Sequence, residues 1–421
     1  MSDDIQDRED AQGRDDVGDR LARVALTWLA EPGTWSVYGL VDEHGAANAL
    51  DLLLDGGAPD DRLRRAVAAR SGAGDPLAVA TEAVTRAERL GARLVTPADA
   101  EWPVQVAALR RLAGSGATGR RVDTETAPPL CFWVRGGWPL GEVLHRSVAV
   151  VGARAATSYG VHVATEFGYG LADRGWTVVS GGAFGVDAAA HRGALNAGGV
   201  TVAVLACGVD RPYPVGNHAL FDRIAETGLL LSEWIPGAEP LRPRFLTRNR
   251  VIAAGTRGSV LVEAAARSGA TQTLRRAYAV GRAVMAVPGP VTSAMSVGAH
   301  ELLREFPEAR LVAGVPHVLE EVGRLGVDLA PPPRGPSRPT DGLDDEATAV
   351  LESMPRRGVT GPDVIATRAG LDVRTALRKL ALLEELRLVA RREGGYAIVP
   401  PLARRAGADA GQSPSNRIWT S

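Results

Sequence analysis

The chain has 421 residues, 45% of them hydrophobic, and its 48 Lys and Arg nearly balance 49 Asp and Glu, leaving a formal charge of −1. That is the composition of an ordinary globular protein long enough for two or three domains, so any polyanion site has to be a local basic cluster rather than a basic surface. The two cysteines, Cys131 and Cys207, argue against a disulfide framework and a cysteine-based zinc site; no apolar run approaches the ~18 residues of a spanning helix, and the acidic N-terminus lacks a signal peptide's basic flank and apolar centre, so a cytoplasmic protein is expected.

Residues 1–19 are rich in Asp and nearly devoid of apolar side chains, which predicts a disordered acidic tail. Over 21–54 apolar residues recur at helical spacing, broken at Pro32-Gly33 and at Gly45. With the helical pattern of 76–90 they predict a small helical domain over 20–90. Its Gly-containing turns suit a SAM-like or helix-hairpin-helix module gripping DNA backbone, and equally the packing of a plain bundle. A Gly-rich stretch at 114–119 reads as loop.

From residue 147 short apolar runs alternate with helical patterns. Strands are predicted at 147–151, 177–180, 201–205, 229–233, 259–263 and 283–287, with helices at 158–174, 186–197, 217–227, 248–256 and 270–280. This alternation predicts an α/β doubly wound parallel sheet over 91–328, with ligand-binding loops at the strand C-termini. A Pro-rich linker follows at 329–342. Residues 343–401 read as three helices and a hairpin turning at Gly394-Gly395, the winged-helix pattern. Its third helix carries Arg374, Arg378 and Lys379 but then Glu384 and Glu385, which suits a protein partner as well as DNA. The polar tail 402–421 is expected to be disordered.

Between the fourth and fifth strands lies FLTRNR, 245–250, with Arg242 and Arg244 just ahead. Read as a strand-end loop, it suits phosphates with a base stacked on Phe245, although Arg-rich loops are often only solvated. After the first strand comes VVGARAATSYG, where Gly152 permits the turn, Arg154 projects and Ser158 can cap the next helix, a setting that favours phosphate. The second strand ends in SGGAFG, whose Gly181 and Gly182 offer amides for an anion nest. A dinucleotide site would want G-x-G-x-x-G and an acidic residue ending that strand, and the chain has neither. Asp187 and His191 stand one helical turn apart; with no third metal ligand at recognisable spacing, a hydrogen bond between them that braces the loop is expected. Asp210, Arg211 and Tyr213 follow the third strand, and Asn217 can cap the helix after them. SGATQT, 268–273, opens the helix after the fifth. No strand end carries a triad, a Cys-His pair or clustered carboxylates, so no catalytic residue, metal or cofactor is expected.

In their order, VVGARAATSYG, SGGAFGVDAAAH, TVAVLACGVDRPYP, LLSE, FLTRNRVI, SVLVEAAARSGATQT and AVPGP resemble the DNA-processing protein A family (DprA, also called Smf) over about residues 90–315. The resemblance implies an extended Rossmann fold that binds single-stranded DNA, protects it and helps load the RecA recombinase in natural transformation. It also implies a homodimer without enzymatic activity. Carried over position by position, it implies DNA contacts at Arg154, Ser158, Gly181, Gly182, Arg242, Phe245, Arg248, Asn249, Arg250, Ser268 and Thr271, with Asp187 and His191 in support. The chain departs from the family pattern at Phe184, where many relatives have a basic residue, at Leu246, where Pro is usual, and in REFPEARLV, which lacks the usual Gly-Ala. An aromatic side chain at 184 would exchange an ionic contact for stacking. Two other functions suit such a fold. A phosphoribohydrolase-like enzyme would need a PGGxGTxxE signature that the chain lacks, and a nucleotide-sensing DNA-binding regulator would need a small ligand in the strand-end cleft.

Overall fold

A computed structural model describes residues 17–113, 125–324 and 340–399. The expected tail over 1–16, the Gly-rich loop, most of the linker and the C-terminal tail lie outside the described residues. The described residues form two compact units that divide between Ala330 and Pro331.

The first unit opens with helices α1 (17–29), α2 (Trp35–His44), α3 (Ala46–Leu54), α4 (Asp61–Ser71) and α5 (Pro76–Arg89). Residues 17–19, expected in the tail, thus begin α1. Asp60 caps α4, its Oδ1 accepting from Leu63 N at 2.8 Å, and Asp75 caps α5 with Pro76 in the first turn, both at positions these residues favour. The apolar faces of these helices bury Leu26, Leu29, Leu50 and Leu53 together with Leu94, Cys131 and Trp133 at the edge of the sheet. The helical segment 20–90 therefore shares one core with the strands beside it.

The sheet comprises β1 (Ala92–Val95), β2 (Phe132–Arg135), β3 (Ser147–Val151), β4 (Thr177–Ser180), β5 (Thr201–Val204), β6 (Leu229–Ser232), β7 (Gly258–Leu261), β8 (Ala283–Ala286) and β9 (Arg310–Leu311), in the order β1-β2-β6-β5-β4-β3-β7-β8-β9. Apart from β2, which runs antiparallel to both neighbours, the strands are parallel. In β3 the side chains alternate between two cores, Val148 and Val150 on one face and Ala149 and Val151 on the other; this is why parallel strands read as unbroken apolar runs. Helices α6 (Leu140–His145), α7 (Ser158–Ala172), α8 (Val186–Asn196), α9 (His218–Thr227), α10 (Arg242–Gly255), α11 (Gly269–Ala279), α12 (Val297–Glu305) and α13 (Val315–Val322) cover the sheet. Of these, α7, α8 and α13 pack on the Val148 face, and α6, α10, α11 and α12 on the Ala149 face. Among the described residues no helix is long and apolar enough to cross a membrane.

The second unit contains α14 (Asp345–Ser353), α15 (Pro362–Ala369), α16 (Val373–Glu385) and a hairpin of β10 (Val389–Arg392) and β11 (Gly395–Ile398) around a core of Val350, Ile365, Leu380 and Leu383. The hairpin turns one residue earlier than expected, at Glu393-Gly394. Gly394 takes φ +86° there, a conformation open to glycine at little cost.

Candidate nucleic-acid interface

Because β3 pairs with β4 on one side and β7 on the other, the chain leaves these strands in opposite directions and opens a crevice beyond their C-terminal ends, where open parallel sheets bind ligands. A cleft of about 330 Å³ lies there, lined by Arg154 from the β3 loop, Ala183 from the β4 loop, Asp187 of α8, Phe245, Arg248 and Asn249 of α10, and Arg267 to Ala270 at the start of α11.

The rim is aromatic and cationic. The Arg154 guanidinium lies 5.4 Å from the centre of the Phe245 ring, and Tyr213, 45% exposed, meets that ring edge-on at 5.7 Å. Such contacts hold cation and ring together while leaving the cation open to water. Arg154, Arg242 and Arg267 are exposed and have no hydrogen bond or ion pair among the described residues. Phe184, 49% exposed on the β4 loop, adds an aromatic face next to the cleft residue Ala183. Ser268 caps α11 by accepting from Ala270 N at 3.2 Å, and the first turn of α11 contains no acid. Its partial positive end therefore faces the cleft without an internal counter-charge.

The other two expected phosphate cradles are filled by the protein's own carboxylates. Thr157, not Ser158, is the N-cap of α7. Glu263 accepts from Thr157 N at 2.9 Å and from Thr157 Oγ1 at 2.6 Å, and a Cβ on Gly160 would meet its carboxylate at 2.1 Å. No phosphate fits there, and Ser158 lies outside the cleft lining. Asp187 does the same at the Gly nest, accepting from Gly181 N at 3.2 Å and Ala183 N at 3.4 Å. Gly181 and Gly182 are buried, with Cβ positions that Arg248 and Phe221 would block. The expectation that these glycines cradle DNA is corrected accordingly: buried amides must be paired, and the protein pairs them internally.

FLTRNR is not a loop but lies within α10, which begins at Arg242 with Pro243 in its first turn, where a missing N–H costs nothing. Helical geometry then sorts the side chains. Arg242, Phe245 and Asn249 share one face, although Arg242 itself stands outside the cleft lining. Arg248 forms the cleft floor at 5% exposure; its Nη1 donates to Gly181 O at 2.9 Å and also to Val204 O, and its Nε to Asn249 Oδ1 at 3.1 Å. Burial pulls its pKa down to about 10, against the charge of Asp187, so it stays cationic at neutral pH. Burial pushes the Asp187 carboxyl above its ordinary range, with Arg248 and the loop amides opposing. Arg250 is fully enclosed. It donates to Ala127 O at 2.9 Å and to both carboxylate oxygens of Glu233, one at 2.7 Å, and is corrected from DNA contact to scaffold because no donor faces solvent. Thr271 donates to Ser268 O at 2.6 Å and stands outside the cleft.

Asp187 and His191 do not hydrogen-bond. Thr201 Oγ1 donates to Val178 O at 2.7 Å, so His191 Nδ1, 2.7 Å from the same oxygen, must carry the hydrogen and donate. His191 Nε2 is buried without a hydrogen-bond partner among the described residues. Burial, then the charges of Arg248 and Arg192, lower the His191 pKa from 6.5 to about 3. The unfolded chain therefore binds a proton that the folded chain refuses between those values. Stability is fully present above about pH 6.5 and should fall by about 1.4 kcal/mol per pH unit below it. Urea unfolding at pH 7 and 5.5 should show this loss in the native chain and a flatter profile in His191→Gln; equal slopes would mean that His191 titrates normally.

Asp210 and Arg211 are braces, Asp210 accepting from Gly237 N at 2.7 Å and pairing with Arg86 at 2.5 Å, Arg211 pairing with Glu239 at 2.9 Å. Asn217 caps no helix with its side chain; its Nδ2 donates to Gly182 O at 3.0 Å. Arg267 was not singled out from the sequence. The signal for it was there, an arginine directly ahead of a serine N-cap. Among the described residues no three His, Cys, Asp or Glu side chains are placed to hold a metal ion.

Residues 93–323 match the family model of DNA recombination-mediator protein A. The putative DNA processing protein DprA of Mycobacterium tuberculosis is 43% identical over 383 residues, covering 91% of this chain and 95% of its own length. Protein Smf of Escherichia coli is 37% identical over 252 residues, covering 59% of this chain and 67% of its own. The crystal structure of DprA from Streptococcus pneumoniae superposes with a TM-score of 0.57 at 30% identity, covering 71% of this chain and 96% of that one. The motifs at the ends of β3, β4, β7 and α10 are thus those of a known lineage, and the chain belongs to the DNA recombination-mediator protein A (DprA/Smf) family.

Proposed function

We propose that the cleft binds single-stranded DNA without sequence preference, and that the chain, as a cytoplasmic homodimer, shields such strands and helps load RecA on them. The observation that carries this is the Arg154–Phe245–Tyr213 cluster on a rim that also exposes arginines, the Phe184 ring and an open helix N-terminus. Rings offer stacking to any base, and guanidiniums and helix amides offer counter-charge to any phosphate. Duplex bases are already stacked on each other and withhold their faces. The second unit, with α16 in the place of a recognition helix, is proposed as a winged helix that contacts protein or duplex DNA.

A gel-shift comparison of single-stranded and duplex oligonucleotides of one length over a salt series tests the cleft. Tighter binding of the single strand at every salt concentration is expected. Equal or better duplex affinity would move the assignment to a duplex-binding surface. Turnover of nucleoside monophosphate, abolished by a change at the cleft, would favour a phosphoribohydrolase instead.

A further inference from the structure

On α10 a slanted row at i, i+3 spacing, Arg244, Thr247 and Arg250, turns away from the cleft and is held by three acids. Arg244 Nη2 and Nε donate to the two oxygens of Glu31 at 2.7 and 3.0 Å. Thr247 Oγ1 donates to Glu125 Oε2 at 3.1 Å, and Arg250 pairs with Glu233. Glu31, just beyond α1, also accepts from Arg70 of α4 and from Trp234 Nε1, each at 3.0 Å. One carboxylate thus ties the helical segment to the residue next to Phe245. The Gly33 turn closes on the same place: at φ +88°, a Cβ there would meet Glu125 O at 2.7 Å and Arg250 Nε at 3.0 Å. Gly33 is buried against Glu125 and Arg250 of α10, which leaves its turn no access to a DNA backbone.

We propose that Glu31 is a positioning residue for the cleft, fixing the first turn of α10 through Arg244 so that Phe245 meets Arg154 and Tyr213. The proposal rests on the cleft being the single-stranded DNA site. The first turn of α10 has no side-chain cap, which leaves it the part of the helix most prone to fray; it is held through Arg244, whose guanidinium is gripped by Glu31, by the Glu239 carbonyl at 2.9 Å and by the Trp234 ring at 5.7 Å. Unwinding that turn would swing Phe245 about the helix axis, where one residue spans about 100°, enough to take the ring away from Arg154 and Tyr213. The helical segment acquires a task by this route: it sets the geometry of a site that it does not line.

Electrostatics and positioning predict opposite signs. Removing an acid near a polyanion site should tighten binding through charge alone. Removing a positioning acid should weaken it. The test uses the full chain, a poly-dT oligonucleotide, a salt series and melting temperatures, comparing Glu31→Gln with Asp51→Asn, a change of the same charge on the exposed face of α3. Glu31→Gln is expected to lose affinity by about fivefold to tenfold, part of the worth of one stacked base, with an unchanged salt slope and faster hydrogen exchange in the first two turns of α10. Asp51→Asn should match the native chain. Native-like or tighter binding by Glu31→Gln, with α10 exchange unchanged, overturns the proposal. If that variant does not fold, Arg244→Lys decides by the same two readouts. A native chain that does not bind poly-dT overturns the cleft assignment itself, a separate outcome.

Discussion

Arg250→Ala should destabilise the first unit by about 3–5 kcal/mol, because it strands Glu233 as a buried carboxylate without its counter-charge. Arg250 is 0% exposed and Glu233 3%, so water cannot replace the lost guanidinium. The Ala127 carbonyl loses its donor in the same step. Thermal unfolding should register a fall of roughly 10 °C. Replacing both Arg250 and Glu233 by Met should recover much of that loss, since a buried ion pair exchanged for apolar side chains of similar volume is often neutral or stabilising. Affinity for single-stranded DNA, measured well below the transition, should keep its native salt dependence. A variant of native stability whose log-affinity slope became shallower by roughly 0.7, the value of one lost phosphate contact on a single strand, would show that Arg250 reaches the DNA after all.

Arg250 also marks where the sequence stops being informative. The strands β3 to β8 were legible because a buried parallel strand has to be apolar on both faces, and α7, α8, α9 and α11 because their periodicity is helical. β1 and β2 were not: β1 follows α5 with only Leu90 and Gly91 between them, and β2 stands ahead of the strand-helix alternation that begins at residue 147. α10 begins six residues before the expected 248, at Arg242 with Pro243 in its first turn, where proline is favourable. Family motifs pointed to Arg154, Phe245, Arg248, Asn249 and Ser268, and the fold brings these to one cleft. The same motifs included Arg250, Gly181 and Gly182, which are buried in the scaffold, and Ser158 and Thr271, which stand outside the cleft lining. Nothing local distinguishes the two groups. Whether an arginine is free or spent depends on partners far along the chain, as with Arg244 and Glu31, 213 residues apart. The same holds for an open or filled helix N-terminus, since Glu263 reaches Thr157 across 106 residues.

Phe245→Ala and Arg154→Ala should separate the two halves of binding at the rim. Phe245 belongs to none of the buried apolar clusters, so its loss should leave the melting temperature nearly unchanged. It removes a stacking surface worth about 1–3 kcal/mol, and affinity for poly-dT should therefore fall about tenfold or more. No charge is lost, and the slope of log affinity against log salt should stay where it was. Arg154→Ala removes a cation and should make that slope shallower by roughly 0.7, with a loss of affinity that shrinks as salt rises. Because the guanidinium lies over the ring, each change also disturbs the other's partner. The double variant should then lose less than the sum of the two single losses, by an interaction energy of about 0.5–1 kcal/mol. Strict additivity would mean that the ring and the guanidinium engage DNA separately. A large fall in melting temperature for Phe245→Ala with undiminished affinity would make the ring part of the scaffold, and the strand would have to be held by the arginines and the α11 N-terminus alone.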